Sequence, residues 1–404
     1  MAEQSTWRTP TLILICGSMI VLLTLGTRNS FGLFLEPISH ALGTGRGMFG
    51  LGLALQNLIW GAAQPFAGAI ADRYGSGRVI AAGGLLYALG LLLMSQATDP
   101  LTLNIGAGVL IGFGLGGASL AVVLAAVAKQ FPEERRSWAL GVGTAVGSLG
   151  NVVMVAASDY LIGSVGWSLA LLVMAVLTLT IVPLSAALAG KPDLGPGVRE
   201  QTFGEALAEA RAHSGYRYLT VGFFVCGFHV VFIGTHFPAY LTDLEFSREV
   251  GAQALILIGV FNVIGSYMAG IVGARYSKKY ALTWIYLARS VAILLFITLP
   301  PSIYTVYGFS AAIGLLWLST VPLTSGIVAQ VFGPRYMATL FGIVFFSHQV
   351  GSFLGAWLGG VLYDSTGSYD VVWWASVALG LIAALLHWPI DERPMARDAV
   401  PQET

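Results

Sequence analysis

The sequence predicts an all-helical, polytopic membrane protein of twelve spanning helices, built as two pseudo-symmetric six-helix bundles with both termini cytoplasmic. Three observations carry this expectation. Only 10% of the 404 residues are charged and 56% are hydrophobic, against about 25% charged in a soluble domain. Apolar runs of roughly 20 residues, the length that crosses about 30 Å of hydrocarbon as a helix, recur twelve times. Features of the first half also return about 200 residues later, as the bundles of many membrane carriers do.

Taken in order, the runs lie near 11–35, 48–71, 78–97, 101–128, 137–162, 167–189, 217–241, 250–273, 281–299, 303–330, 336–362 and 371–390. The first continues past Leu25 with no small-residue cleavage site, so it is expected to stay as a span rather than leave as a signal. Between the runs fall charged or polar breaks, and these set the orientation, because cytoplasmic loops retain Lys and Arg. Sixteen of the twenty basic residues sit in the termini and the even-to-odd connections, among them Arg73, Arg78, Lys129, Arg135, Arg136, Arg275, Lys278, Lys279, Arg335 and Arg393. Arg46 and Arg248 alone fall in connections on the other side, and Arg28 and Arg289 lie inside apolar runs. The longest break, Gly190 to Tyr216, divides the chain into an N-terminal bundle (1–189), a cytoplasmic linker (190–216), a C-terminal bundle (217–391) and a tail (392–404). A multi-pass protein of the inner (plasma) membrane is the expected location.

Composition excludes several classes of function. Twenty basic residues balance twenty acidic ones, so nothing invites nucleic acid. The two cysteines, Cys16 and Cys226, lie in separate apolar runs and build neither a disulfide framework nor a thiolate metal site. Gly112, Gly114, Gly116 and Gly117 sit inside an apolar helix with no preceding strand and no P-loop lysine, so they serve close helix packing rather than a nucleotide. There is no nucleophile–base arrangement. No enzyme activity, metal or cofactor is expected.

The repeat has specific content. Gly68-Ala-Ile-Ala-Asp72-Arg73-Tyr74 falls on Gly270-Ile-Val-Gly-Ala274-Arg275-Tyr276, and Pro37 falls on Pro238. Phe131-Pro132, followed by Arg135 and Gly141, corresponds to Phe332-Gly333, followed by Arg335 and Gly342. With twelve spans split six and six, and with Gly68, Asp72, Arg73, Gly75 and Arg78 matching its loop signature Gly-x-x-x-Asp-Arg-x-Gly, the chain resembles the major facilitator superfamily along its whole length. That resemblance implies secondary transport by alternating access, with Gly68, Asp72, Arg73, Gly75, Arg78, Arg135, Arg275 and Arg335 at the gating loops. Ala274 replaces the second carboxylate, so the latch is expected to be one-sided; the plainer reading is that both loops only anchor the helices. The run Trp317-Leu-Ser-Thr-Val-Pro322, with Phe332-Gly-Pro-Arg335-Tyr336 and Ser347-His348-Gln349 through Tyr363-Asp364, looks most like bacterial carriers of the monocarboxylate and oxalate/formate branch. Members of that branch often place an arginine in the eighth span, whereas this chain reads Phe261-Asn262-Val-Ile-Gly-Ser266 there, so carboxylate specificity is not simply inherited.

An ionisable group in a span costs about 2.5–3.5 kcal/mol on insertion scales and needs a partner, a route to water or a function. Among the acidic residues only Glu36 and Asp159 reach the membrane, both at its outer edge, which argues against cationic cargo. Arg28 lies about 17 residues into the first run, ~25 Å along the helix. Guanidinium offers a two-pronged fork to a carboxylate. The alternatives for Arg28 are snorkelling or a structural pair with Asp159. The Pro37/Pro238 offset places His229 opposite Arg28, which would put one fixed positive charge and one titratable imidazole on a common cavity, with His229 carrying the coupled proton. His236, two turns further on, reads as structural. Arg289 is expected to pair with backbone carbonyls or lipid phosphate. Asn57, Asn151, Asn262, Trp317, His348 and Gln349 complete the candidate substrate set, though amides of this kind more commonly tie helices together.

The expected function is therefore a carrier, working as a monomer, for a small organic anion of the monocarboxylate class, moved together with a proton. An exporter of neutral or amphipathic compounds is the alternative within transport, and a non-transporting membrane receptor is the alternative outside it.

Overall fold

With no water in hydrocarbon to serve backbone groups, long apolar runs close their own hydrogen bonds and become helices. The computed structural model describes residues 8–128, 130–189, 208, 211–332 and 337–394. Arg335, most of the 190–216 linker, the tail beyond 394 and the side chain of Asp72 lie outside the described residues. Among the described residues twelve long helical segments run back and forth. They are Pro10–Leu42, Arg46–Tyr74, Ser76–Ser95, Pro100–Val127, Glu133–Val165 and Trp167–Leu188, then Ser214–Asp243, Arg248–Arg275, Lys278–Thr298, Ile303–Phe332, Met337–Thr366 and Asp370–His387. Eleven are long and apolar enough to cross a membrane. The second, Arg46–Tyr74, is as long, but Gln56, Asn57 and Gln64 lower its hydropathy because it faces the middle of the protein.

The helix starts carry local signals. Thr9 caps the first span with Pro10 in its first turn, Asp99 accepts the Thr102 N–H at 2.9 Å, and Ser302 and Thr305 form a reciprocal capping box. Four spans that the sequence shows as continuous are broken, the sixth of them at Thr180. The first passes through a 3-10 turn at Phe31–Phe34, the fourth through a π-helical stretch at Ile105–Leu110 and a break at 118–119, and the tenth through a break at 317–319.

Packing repeats between the halves. Span one lies along five as seven lies along eleven, three along six as nine along twelve, and two along four as eight along ten. Across the interface, two lies along eleven and eight along five. These interface pairs meet at the end of the molecule away from the basic loops. A Cβ on Gly360 would stand 2.5 Å from the Gly47 Cα, so only glycine admits that approach. At the basic end the same four helices part: a Cβ on Gly68, Gly141, Gly270 or Gly342 would meet nothing within 4 Å.

Candidate functional site

Arg28 lies in the last turn of the first helix, where the free carbonyls carry the negative end of the helix dipole. Its guanidinium is held by neutral amides alone. Nη2 donates to Asn57 Oδ1 at 2.5 Å and Nη1 to Asn29 Oδ1 at 3.2 Å, while Asn29 Nδ2 donates to Asn151 Oδ1 at 2.5 Å. The guanidinium carbon sits 5.2 Å from the centre of the Trp60 ring. Two buried donors here, Arg28 Nε and Trp60 Nε1, have no partner. A buried donor left unpaired costs about 1–3 kcal/mol, so the site is short of acceptors and of negative charge.

Asp159 does not supply that charge. It pairs with Arg248 at 3.4 Å, and Glu36 with Arg46 at 2.9 Å, both at the end away from the basic loops. The structure thus sets aside the Arg28–Asp159 pair. Around Arg28 and Asn29 closes a small cavity of about 30 Å³, lined by Phe31, Gly32, Leu53, Gln56 and Asn57 from one half and by Val230, Val231, Gly234, Thr235 and Trp317 from the other. That volume holds a water or two, and both Arg28 and Asn29 keep partial exposure.

His229 is not in this lining. Its Nε2 lies 2.8 Å from Ser376 O, turned into the twelfth span, and its Nδ1 has no partner. The expected placement of His229 opposite Arg28 on one cavity does not form. Between Arg28 and Pro37 the first span runs through a 3-10 turn, which rotates about 120° per residue, whereas the seventh span stays α-helical to Pro238 at about 100° per residue. Equal spacing along the chain therefore does not give equal faces, and Val230, Val231 and Gly234 take the positions opposite Arg28.

The other candidates divide. Asn57, Asn151 and Trp317 belong to the Arg28 site, and Gln349 joins it across the interface by donating Nε2 to Asn57 O at 3.1 Å. His348 Nδ1 is 3.1 Å from Gln349 Oε1. Asn262 instead accepts the Leu318 N–H at 3.1 Å and holds the break in the tenth span. Arg289 does the same from the ninth span, donating Nε and Nη2 to the carbonyls of Leu316 and Trp317, which is the backbone pairing expected of it. His236 bridges Ala356 O at 2.7 Å and the Tyr369 hydroxyl at 3.1 Å. At the basic end Arg73, Arg78, Arg135 and Arg275 are exposed and form no ion pair among the described residues.

The ion pairs that tie the two halves together lie at the opposite end, in residues that the sequence did not single out for gating. Arg46 forks onto Asp243 of the other half at 2.5 and 2.7 Å, bonds Glu36, and lies 4.0 Å from the centre of the Tyr363 ring. Asp364 accepts the Arg46 and Gly47 N–H groups, both at 2.8 Å, capping the second span from across the interface. Arg46→Gln is expected to weaken this closure by about 1–2 kcal/mol. Spin labels at positions 40 and 370 read it as a longer mean distance, and an unchanged distance distribution would remove the latch.

The Major Facilitator Superfamily profile matches residues 17–355 and, again, 262–404. The chain is a member of the major facilitator superfamily. It is thus a membrane transporter rather than an enzyme. The transporter is 25% identical over 392 residues to the uncharacterized MFS-type transporter YcxA of Bacillus subtilis, covering 92% of this chain and 93% of that one. It is 27% identical over 344 residues to monocarboxylate transporter 11 of Mus musculus, covering 79% and 72%. In fold it matches a bacterial homolog of the human lysosomal transporter Spinster, solved in an inward-facing, unoccupied conformation, with a TM-score of 0.68 and 14% identity over 95% and 94% of the two chains.

Proposed function

We propose that this transporter carries a small organic anion of the monocarboxylate class, coupled to protons, by rocking its two halves around Arg28. The observation that carries the reading is Arg28 itself: a cation between the halves, held by amide oxygens, with an unpartnered Nε beside an unpartnered Trp60 N–H. A carboxylate in the adjoining cavity supplies the missing charge and an acceptor for the guanidinium. The names of the mammalian relatives agree with this substrate class.

In this reading the basic end is cytoplasmic and the structure is the inward-facing state, with the Arg46–Asp243 latch closed and the basic-end loops parted. The asymmetric signature loops, with Asp72 in one and Ala274 in the other, then engage when the halves close on that side. Thermal stabilisation of the purified protein by a panel of small carboxylates, amines and neutral aromatics tests it. Carboxylates are expected to raise the melting temperature and amines are not. Stabilisation by neutral amphipaths alone would instead favour an exporter of such compounds.

A further inference from the structure

With His229 turned away, a different imidazole stands next to the anion site. His348, on the eleventh span, reaches Arg28 by two routes that both cross between the halves. One is polar: His348 Nδ1 to Gln349 Oε1 at 3.1 Å, Gln349 Nε2 to Asn57 O at 3.1 Å, and Asn57 Oδ1 to Arg28 at 2.5 Å. The other is aromatic: the His348 ring stacks on Phe345 at 5.8 Å and 7°, Phe345 meets Trp60 edge-on at 5.5 Å, and Trp60 lies under the guanidinium.

The polar route fixes the tautomer. Gln349 gives its amide hydrogen to Asn57, so its oxygen faces His348 and must accept, which places a hydrogen on Nδ1 and leaves Nε2 as the atom that takes a second proton. The ring lies between Phe345 and Phe223, the latter with its centre 4.9 Å away. The groups facing the ring are few. The seventh span brings Phe223 and the Cys226 thiol, and its own helix brings Phe345, Gln349 and Ser352, with neutral Asn57 and Trp60 of the second span behind Gln349 and Phe345. Arg289 stands behind Cys226 and Arg28 behind Asn57, and no carboxylate faces the ring among the described residues.

We propose that His348 is the proton-coupling residue, taking a proton at Nε2 from water when an anion binds at Arg28 and returning it when the anion leaves. This rests on the anion reading of the Arg28 site. Without the anion, a second positive charge is opposed by Arg28; with it, the added negative charge favours protonation. By linkage the proton must then tighten anion binding by the same factor.

The test measures binding of formate, acetate, lactate, pyruvate and benzoate to the full-length purified protein at pH 6 and pH 8. These acids ionise near ~4 and stay anionic throughout, so any proton taken up belongs to the protein. The expected result is binding about tenfold tighter at pH 6, with net proton uptake in weakly buffered solution. Both effects should vanish in His348→Gln. They should persist in His387→Gln, a buried histidine bonded to a carbonyl of its own helix. Unchanged pH dependence in His348→Gln overturns the assignment while leaving the anion site standing. Failure of all five anions to bind wild type at either pH overturns both. If His348→Gln does not fold, imidazole nitrogen spectra of wild type decide the matter. Proton gain at the His348 Nε2 on adding the anion is expected, and an unaltered His348 signal overturns the proposal.

Discussion

Arg28→Ala is expected to weaken binding of a small carboxylate by about 100-fold or more, roughly 3 kcal/mol, because it removes the positive charge and the fork together. Arg28→Lys keeps the charge but not the planar pair of donors, so its affinity should fall between those of alanine and wild type. The ligand-free protein provides the decisive comparison. A structural arginine would lower the melting temperature when removed, but Arg28 carries an unpartnered Nε and no carboxylate. Replacing such a group by a small apolar one should leave thermal stability intact or raise it. Loss of binding with unchanged stability supports a binding residue. Wild-type affinity in Arg28→Ala would dismiss the site.

Gly32→Val should be just as damaging by a different route. Gly32, in the 3-10 turn of the first span, lies against the seventh span so closely that a Cβ would stand 2.3 Å from Gly234 O and 3.1 Å from Thr235 O. On one side of this contact is the Arg28 cavity. On the other is a wider cavity of about 250 Å³, reaching Glu36, Pro37, His40, Pro238 and Arg248, and Gly32 lines both. Backbone cannot move aside as a flexible side chain can, so overpacking here costs about 1–3 kcal/mol even for alanine, and more for valine. The seal between the cavities should then fail to close. Expected results are loss of transport and a longer distance between labels at positions 40 and 370. Normal transport in the valine variant would show that the seal is not part of the cycle.

Much of this molecule is determined by its sequence because the membrane leaves so few options. Apolar runs of spanning length must be helices, the basic residues mark one end, and the repeat of Gly68–Tyr74 in Gly270–Tyr276 reveals the duplicated halves. Arg28 was legible for the same reason: a charge in an apolar run needs an explanation. Arg46 and Arg248 were visible as the two basic residues on the wrong side, but their partners were not. Asp243 lies 197 residues from Arg46, and Asp159 reaches Arg248 only because the fifth and eighth spans come together. Asn29 and Trp60 carried no signal, since a polar residue at a helix end reads as interfacial and an aromatic residue in mid-span reads as packing.

What the tertiary structure alone decided is rotation and depth. Four residues of 3-10 helix turned the first span against its counterpart, moving His229 out of the Arg28 site and bringing Val230 and Gly234 in. The break at 317–319 brought Trp317 to the cavity, held by Arg289, Asn262 and Cys226 from three other helices. Hydrophobic periodicity records which residues avoid water, and in a twelve-helix bundle nearly every face does. Which face meets lipid, which meets a neighbour and which meets the substrate is set by the packing of helices far apart in the chain.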